Sequence, residues 1–303
     1  MHRFSLLALL LWPAITFSQL KKKPDARLQQ ELQQIADKFK GTAGIYVQQL
    51  ATGEWAAVNA DTIFPTASIV KIPLLVGLFD KLDKGELGYH QTLIYRDSAR
   101  SGGSGLMQFF KDSSETEVSV LAALMMAYSD NTTSLWNQQL AGGGAAVNAL
   151  MEKYGLKDTR VNSRTPGREE NRKIYGWGQT TPREMATLVT KIFRGEVISR
   201  PSSERMYRLM TKGYYDEQAL TQIPPYVQAA AKTGSVNESR SEVVLVNAPH
   251  GDYVFYIGTK NIQDQRWVAD NEAVNMIREI SALLWKHFEP KSKWTPVFRK
   301  DKY

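Results

Sequence analysis

The chain contains no cysteine. That absence excludes a disulfide-stapled scaffold, a cysteine nucleophile and any thiolate metal site. Histidine is nearly as scarce. His2, His90, His250 and His287 are scattered with no pair at ligand spacing, so neither a metal centre nor any other cofactor is expected. Long apolar runs are missing too, with one exception at the start. Phe4 to Phe17 follow the basic His2-Arg3, and small residues stand at Thr16 and Ser18, the pattern of a secretory signal peptide with a mature chain from about Gln19. The run is short for a membrane span, and without cysteine there is no lipid anchor. The expectation is an exported protein, periplasmic or extracellular, with no stable membrane anchor.

What is present reads as a globular enzyme-sized chain. The 303 residues, 43% hydrophobic and 23% charged, suffice to bury a full core as one large domain or two modest ones. The formal charge of +7 does not point to nucleic acid, because Lys and Arg are spread along the chain. The densest basic clusters are terminal, Lys21-Lys22-Lys23 and the group from Lys291 to Lys302, and read as solvated ends. No segment signals assembly, so a monomer is the default expectation.

Ala26 to Lys40 carries Leu28, Leu32, Ile35 and Phe39 at helical spacing, with Asp25 as N-cap. Gly44 to Leu50 and Trp55 to Asn59 read as a hairpin around Ala51-Thr52-Gly53-Glu54. Thr66 to about Met210 is mostly helical, broken by loops at Arg100 to Gly105, Gly142 to Gly144 and Arg160 to Gln179. After the last loop, Thr181, Pro182 and Glu184 form a capping box at a helix start. Strand patterns return at Val227 to Ser235, Glu242 to Val246 and Tyr253 to Thr259, and Trp267 to Trp285 closes with a helix. The order implies an α/β (α+β) protein: an antiparallel sheet built from both chain ends with flanking helices, and an inserted all-helical subdomain. The expected organisation is a signal peptide over 1–18, a catalytic domain over 19–288 and a basic tail over 289–303. Within the domain, about 25–62 and 213–288 form the α/β part and about 66–212 the helical part, with the active site between them.

Three short motifs carry the chemistry: Ser68-Ile69-Val70-Lys71, Ser129-Asp130-Asn131 and Lys232-Thr233-Gly234. Each is weak alone, but all three in this order should arise by chance in well under ~1% of chains of average composition. Ser68 opens an apolar helical period, where a serine meets the positive end of the helix dipole and backbone N–H groups can stabilise an oxyanion. Lys71 lies one turn on, on the same face, within reach of the serine hydroxyl. A lysine acting as base needs its pKa lowered by burial or by a second cation, and Lys232 is the candidate cation.

The trio is that of class A β-lactamases and penicillin-binding proteins, and the chain resembles this family from about Leu28 to Phe288. Leu50 to Glu54 resembles the family's first hairpin, Phe64 to Pro73 its nucleophile segment and Met125 to Thr132 the segment with Ser-Asp-Asn. Thr180-Thr181-Pro182 resembles the start of the helix after the Ω loop. The resemblance implies that Ser68 is acylated, Lys71 helps to activate it and Ser129 passes a proton to the leaving nitrogen. Asn131 would hydrogen-bond the substrate's side-chain amide. Lys232, Thr233, Gly234 and Ser235 would form the edge that binds the substrate carboxylate, with Arg240 adding a second charge. The implied partner is a small β-lactam or a peptidoglycan stem peptide.

One departure outweighs the matches. Class A β-lactamases carry an Ω-loop glutamate that activates the deacylating water, and here Thr165 stands at that position. A hydroxyl is no general base at neutral pH. Glu169 and Glu170 are the candidate replacements. The Arg–Asp pair that pins the family's loop is also missing, with Ser163 and Gly178 in its place. The sequence thus supports an acyl-serine hydrolase, with a β-lactamase, a DD-peptidase and a non-turnover sensor as its three readings.

Overall fold

Asp25 accepts the backbone N–H of Leu28 and so starts α1 (Ala26–Lys38), which buries Leu28 and Leu32. In this computed structural model residues 23–296 are described, so the expected signal peptide over 1–18 and the end of the expected basic tail, 297–303, lie outside them. The hairpin follows as β1 (Thr42–Gln49) and β2 (Trp55–Val58). A short strand, β3 (Phe64–Pro65), leads through a 3-10 turn over Ala67–Val70 into α2 (Lys71–Asp83). Next come the paired strands β4 (Thr92–Ile94) and β5 (Glu115–Glu117), then α3 (Val118–Ala127), α4 (Asn131–Leu140) and α5 (Gly143–Lys153). The segment read as a loop from Arg160 to Gln179 holds β6 (Arg160–Val161), α6 (Glu169–Tyr175) and the start of β7 (Gly178–Thr180). Helices α7 (Pro182–Phe193) and α8 (Arg200–Met210) precede β8 (Ala229–Val236), β9 (Ser239–Val246), β10 (Tyr253–Lys260) and α9 (Glu272–Phe288).

The main sheet has the order β2-β1-β10-β9-β8 and is antiparallel throughout, so it joins both ends of the chain as expected. Strand alternation gives it two buried faces. Ile45, Val47, Val244 and Phe255 face α1 and α9, where Leu28, Leu32, Ile277 and Leu284 complete one core. Tyr46, Val243, Leu245 and Tyr256 face the helical part and pack with α2, α3, α7 and α8 in the other. Lys232 falls on this second face, between Ala230 and Gly234, which aims it at the helical part. Among the described residues no helix is long and apolar enough to cross a membrane.

Three local readings differ from the structure. The closing helix begins at Glu272, because Asn271 caps it by accepting from the N–H groups of Ala273 and Val274, and Trp267 is left in the preceding loop. Thr181 does cap α7 by accepting from the Glu184 N–H, with Pro182 in the first turn. The Glu184 carboxylate, however, accepts from the N–H groups of Asp158 and Thr159 and from the Thr159 hydroxyl, tying the preceding chain to α7. The β4–β5 pair inside the helical part was not legible, its strands being three residues long and largely exposed.

Candidate active site

Ser68 lies in the 3-10 turn rather than in the helix proper, and α2 begins only at Lys71. Ala67, just before it, adopts a left-handed backbone at φ +43, as does Ser129 at φ +52. Such conformations cost non-glycine residues about 1–3 kcal/mol each, and they persist where surrounding contacts hold them. β8 presses on this turn. A Cβ on Gly234 would stand 2.4 Å from the Thr66 carbonyl oxygen, so only glycine lets the strand pass so close to the Ser68 segment.

The structure brings the three motifs together around one buried amine. Lys71 Nζ is 2.8 Å from Ser68 Oγ, 3.1 Å from Ser129 Oγ, 3.0 Å from Asn131 Oδ1 and 2.6 Å from the Ser129 carbonyl. Its side chain is fully buried. Burial first, and the charge of Lys232 second, hold the Lys71 pKa well below the ordinary lysine range, with Asp130 opposing. A neutral amine has one lone pair and two protons. The lone pair can take the Ser68 proton while the two N–H bonds go to the Ser129 carbonyl and Asn131 Oδ1. Lys232 donates to Ser129 Oγ at 3.0 Å and to the Thr233 carbonyl at 3.0 Å, and burial brings its pKa down to about 7.

Asp130, the middle residue of its motif, builds rather than reacts. One carboxylate oxygen caps α4 through the Thr133 N–H and the other accepts from the Met107 N–H, which anchors the 102–107 loop beside Asn131. Asn131 Nδ2 donates to the Gly102 carbonyl of that loop. Ser68 and Asn131 open into a cleft of about 780 Å³ whose walls include Tyr175 at the end of α6, Trp177 just after it, Ser235 to Ser239 from the β8–β9 hairpin, and Trp267.

Thr165 does not reach this cleft. It is buried, donates to the Ser163 carbonyl and packs so tightly that a Cβ on Gly144 would fall 1.8 Å from its hydroxyl oxygen. Neither candidate glutamate is brought to Ser68. Glu169 is exposed and accepts from the Gly167 N–H, and Glu170 is exposed and paired with Lys173. A different set of contacts pins the loop. Arg168 donates to Asn162 Oδ1 and to Gln179 Oε1, which also accepts from Asn171, while Gln138 holds the Ser163 carbonyl. No side chain fits at Gly178, where a Cβ would stand 2.6 Å from Val70. Arg240 is buried, not set out on the surface. It donates to the carbonyls of Val236, Ser239 and Arg266 and lies 4.4 Å from the centre of the Trp267 ring.

A family model described as the beta-lactamase enzyme family matches residues 27–288, most of the chain and all three motifs. The chain belongs to this family. Within it, similarity to individual β-lactamases is distant. Beta-lactamase VEB-1 of Pseudomonas aeruginosa is 20% identical over 242 residues, 76% of this chain and 80% of its own. The carbapenem-hydrolyzing beta-lactamase KPC of Klebsiella oxytoca is 26% identical over 212 residues, 67% of this chain and 69% of its own. Among solved structures PBP-A matches with a TM-score of 0.79 at 29% identity, covering 89% of this chain and 98% of its own. A mutant of PBP-A, solved as an acyl-enzyme complex with penicillin G, matches equally well. Membership of this family carries with it a hydrolase of β-lactamase-like fold.

The wall residues Trp267, Val236 and Ile174 were not singled out by sequence reasoning. The signal for Trp267 was Asn271, a good N-cap four residues later that separates the tryptophan from the helix.

Proposed function

We propose that the protein is an exported acyl-serine hydrolase that opens an amide of a β-lactam or a D-Ala-D-Ala-like peptide through an ester on Ser68. The observation that carries this reading is the 2.8 Å approach of a buried, depressed-pKa Lys71 amine to the Ser68 hydroxyl. Lys71 takes the hydroxyl proton as Ser68 attacks the carbonyl carbon. Ser129, within hydrogen-bond distance of both lysines, relays a proton to the leaving nitrogen. Lys232, Thr233 and Ser235 hold the substrate carboxylate at the edge strand, and Asn131 meets the amide of the acyl side chain. Export rests on the N-terminal leader.

A second reading is favoured by the missing carboxylate. No acidic residue of the Ω loop lines the cleft near Ser68, so water activation is poor and the acyl-enzyme is released slowly. That behaviour suits a DD-peptidase that penicillins trap better than it suits an efficient β-lactamase. PBP-A, similar over most of its length and trapped in mutant form as a penicillin G acyl-enzyme, supports this side. Labelling with a fluorescent penicillin followed by peptide mapping tests the nucleophile. The label is expected on the Ser68 peptide, and a Ser68→Ala protein that still takes it up refutes the assignment.

A further inference from the structure

Two large apolar side chains lie unusually open to solvent on the walls of the Ser68 cleft, Ile174 at 69% and Trp267 at 64% exposure. Exposed apolar groups of this size gathered at a concave site mark a surface that a ligand covers. Trp267 is also held still. Its indole N–H donates to Asn237 Oδ1 at 3.0 Å, and its ring is backed by the buried Arg240 guanidinium. Arg240 is itself fixed by carbonyls, one of them that of Arg266, and Asn271 Nδ2 bonds the carbonyls of Asp264 and Arg266 to hold the loop. An aromatic ring held this firmly loses little freedom when a ligand stacks on it.

From these contacts we infer that Trp267, with Ile174, forms a subsite for a flat apolar group on the acyl side of the substrate, and that Arg240 positions Trp267. The inference rests on the proposed function for the substrate's orientation. Asn131, the residue assigned to the acyl-side amide, lines the cleft with Ile174 and Trp267, and Trp267 is bonded to Asn237 in the β8–β9 turn, past the Ser235 position assigned to the carboxylate. An aromatic acyl group therefore lies against the indole face, and a penicillin whose acyl group is only acetyl, which keeps the amide but has no ring, leaves it uncovered. Covering one aromatic face with an apolar group is worth about tenfold in affinity.

Calorimetry on the Ser68→Ala protein separates binding from acylation. Penicillin G is expected to bind about tenfold tighter than the penicillin whose acyl group is only acetyl, which keeps the amide that meets Asn131 and lacks the aromatic ring. Adding Trp267→Ala should bring penicillin G to the level of the acetyl compound and leave the acetyl compound unchanged, and Trp267→Phe should keep most of the difference. Ile174→Ala, at an exposed site where folding is not at risk, should remove a smaller part, about threefold. Equal affinities for the two ligands before Trp267 is changed, or a Trp267→Ala loss equal for both, overturns the subsite. An unlabelled Ser68 in the parent protein would instead overturn the acylation reading, and the binding comparison would still decide the subsite.

Discussion

Lys71 and Lys232 share one hydroxyl: their amine nitrogens stand 3.1 Å and 3.0 Å from Ser129 Oγ. Two buried amines so placed cannot both keep a full charge at low cost, and each favours the neutral form of the other. The result is a continuous chain of hydrogen bonds from Ser68 Oγ through the Lys71 amine to Ser129 Oγ, with Lys232 at its far end, and under the proposed function this chain carries the proton.

Removing either lysine should therefore act differently. Lys71→Ala deletes the proton acceptor, and acylation by penicillin is expected to slow by about 10²–10⁴-fold. In the parent, acylation falls as the pH drops through the depressed Lys71 pKa, because the protonated amine is no base. Lys232→Ala removes a neighbouring positive charge, so the Lys71 pKa rises and this acid limb moves to higher pH. Stopped-flow acylation rates across pH would show it, and an unmoved limb would dissociate the two lysines.

Glu242 offers a separate test in stability. It lies fully buried on β9, cross-strand from Thr233, and accepts from the Ala219 N–H, and burial pushes its carboxyl up to about 8. The unfolded chain releases this proton near the ordinary value of 4.5, so between the two pH values the native state holds more protons. Stability should fall as pH rises through that window. Glu242→Gln cannot ionise and should flatten that fall, which denaturant melts at several pH values can measure. A parent and variant with parallel profiles would contradict the buried, protonated acid.

Gly234 is predicted to be irreplaceable for packing rather than for chemistry. In Gly234→Ala the new methyl meets the Thr66 carbonyl, and the forced shift should cost about 1–3 kcal/mol of stability, as overpacking does. Because the displaced segment carries Ser68, acylation should fall with it. A variant with unchanged melting temperature and labelling rate would refute the close approach.

Much of this was legible in the sequence, for identifiable reasons. Asp25 and Thr181 announce helix starts through side chains that act within three residues, and the apolar runs Val243 to Val246 and Tyr253 to Ile257 in β9 and β10 report a sheet with two buried faces. The trio of motifs marks the site because its spacing survives in linear order. Long-range contacts were not legible. Glu184 reads as half of a capping box, yet its carboxylate bonds to Asp158 and Thr159, a choice made by how the loop returns. Arg240 reads as a charge for the substrate, whereas the hairpin turns it onto carbonyls and the Trp267 ring. No pattern in the sequence fixes the register that buries Thr165 against Gly144.

That register has its own consequence. Thr165→Glu has no room for the longer side chain and should lower the melting temperature, not restore turnover. Glu169→Gln and Glu170→Gln should leave the lifetime of a penicilloyl adduct unchanged, since both carboxylates point to other partners outside the cleft. A longer-lived adduct in either variant would place that glutamate in deacylation.

The most direct test of the account is intact-protein mass spectrometry followed over time after mixing with penicillin G. A single adduct with the mass of the whole penicillin is predicted, absent from Ser68→Ala, forming faster than it decays and so accumulating on the parent. Rapid hydrolysis of the penicillin with no adduct at any time would contradict slow release, and an adduct that persists in Ser68→Ala would contradict the nucleophile itself.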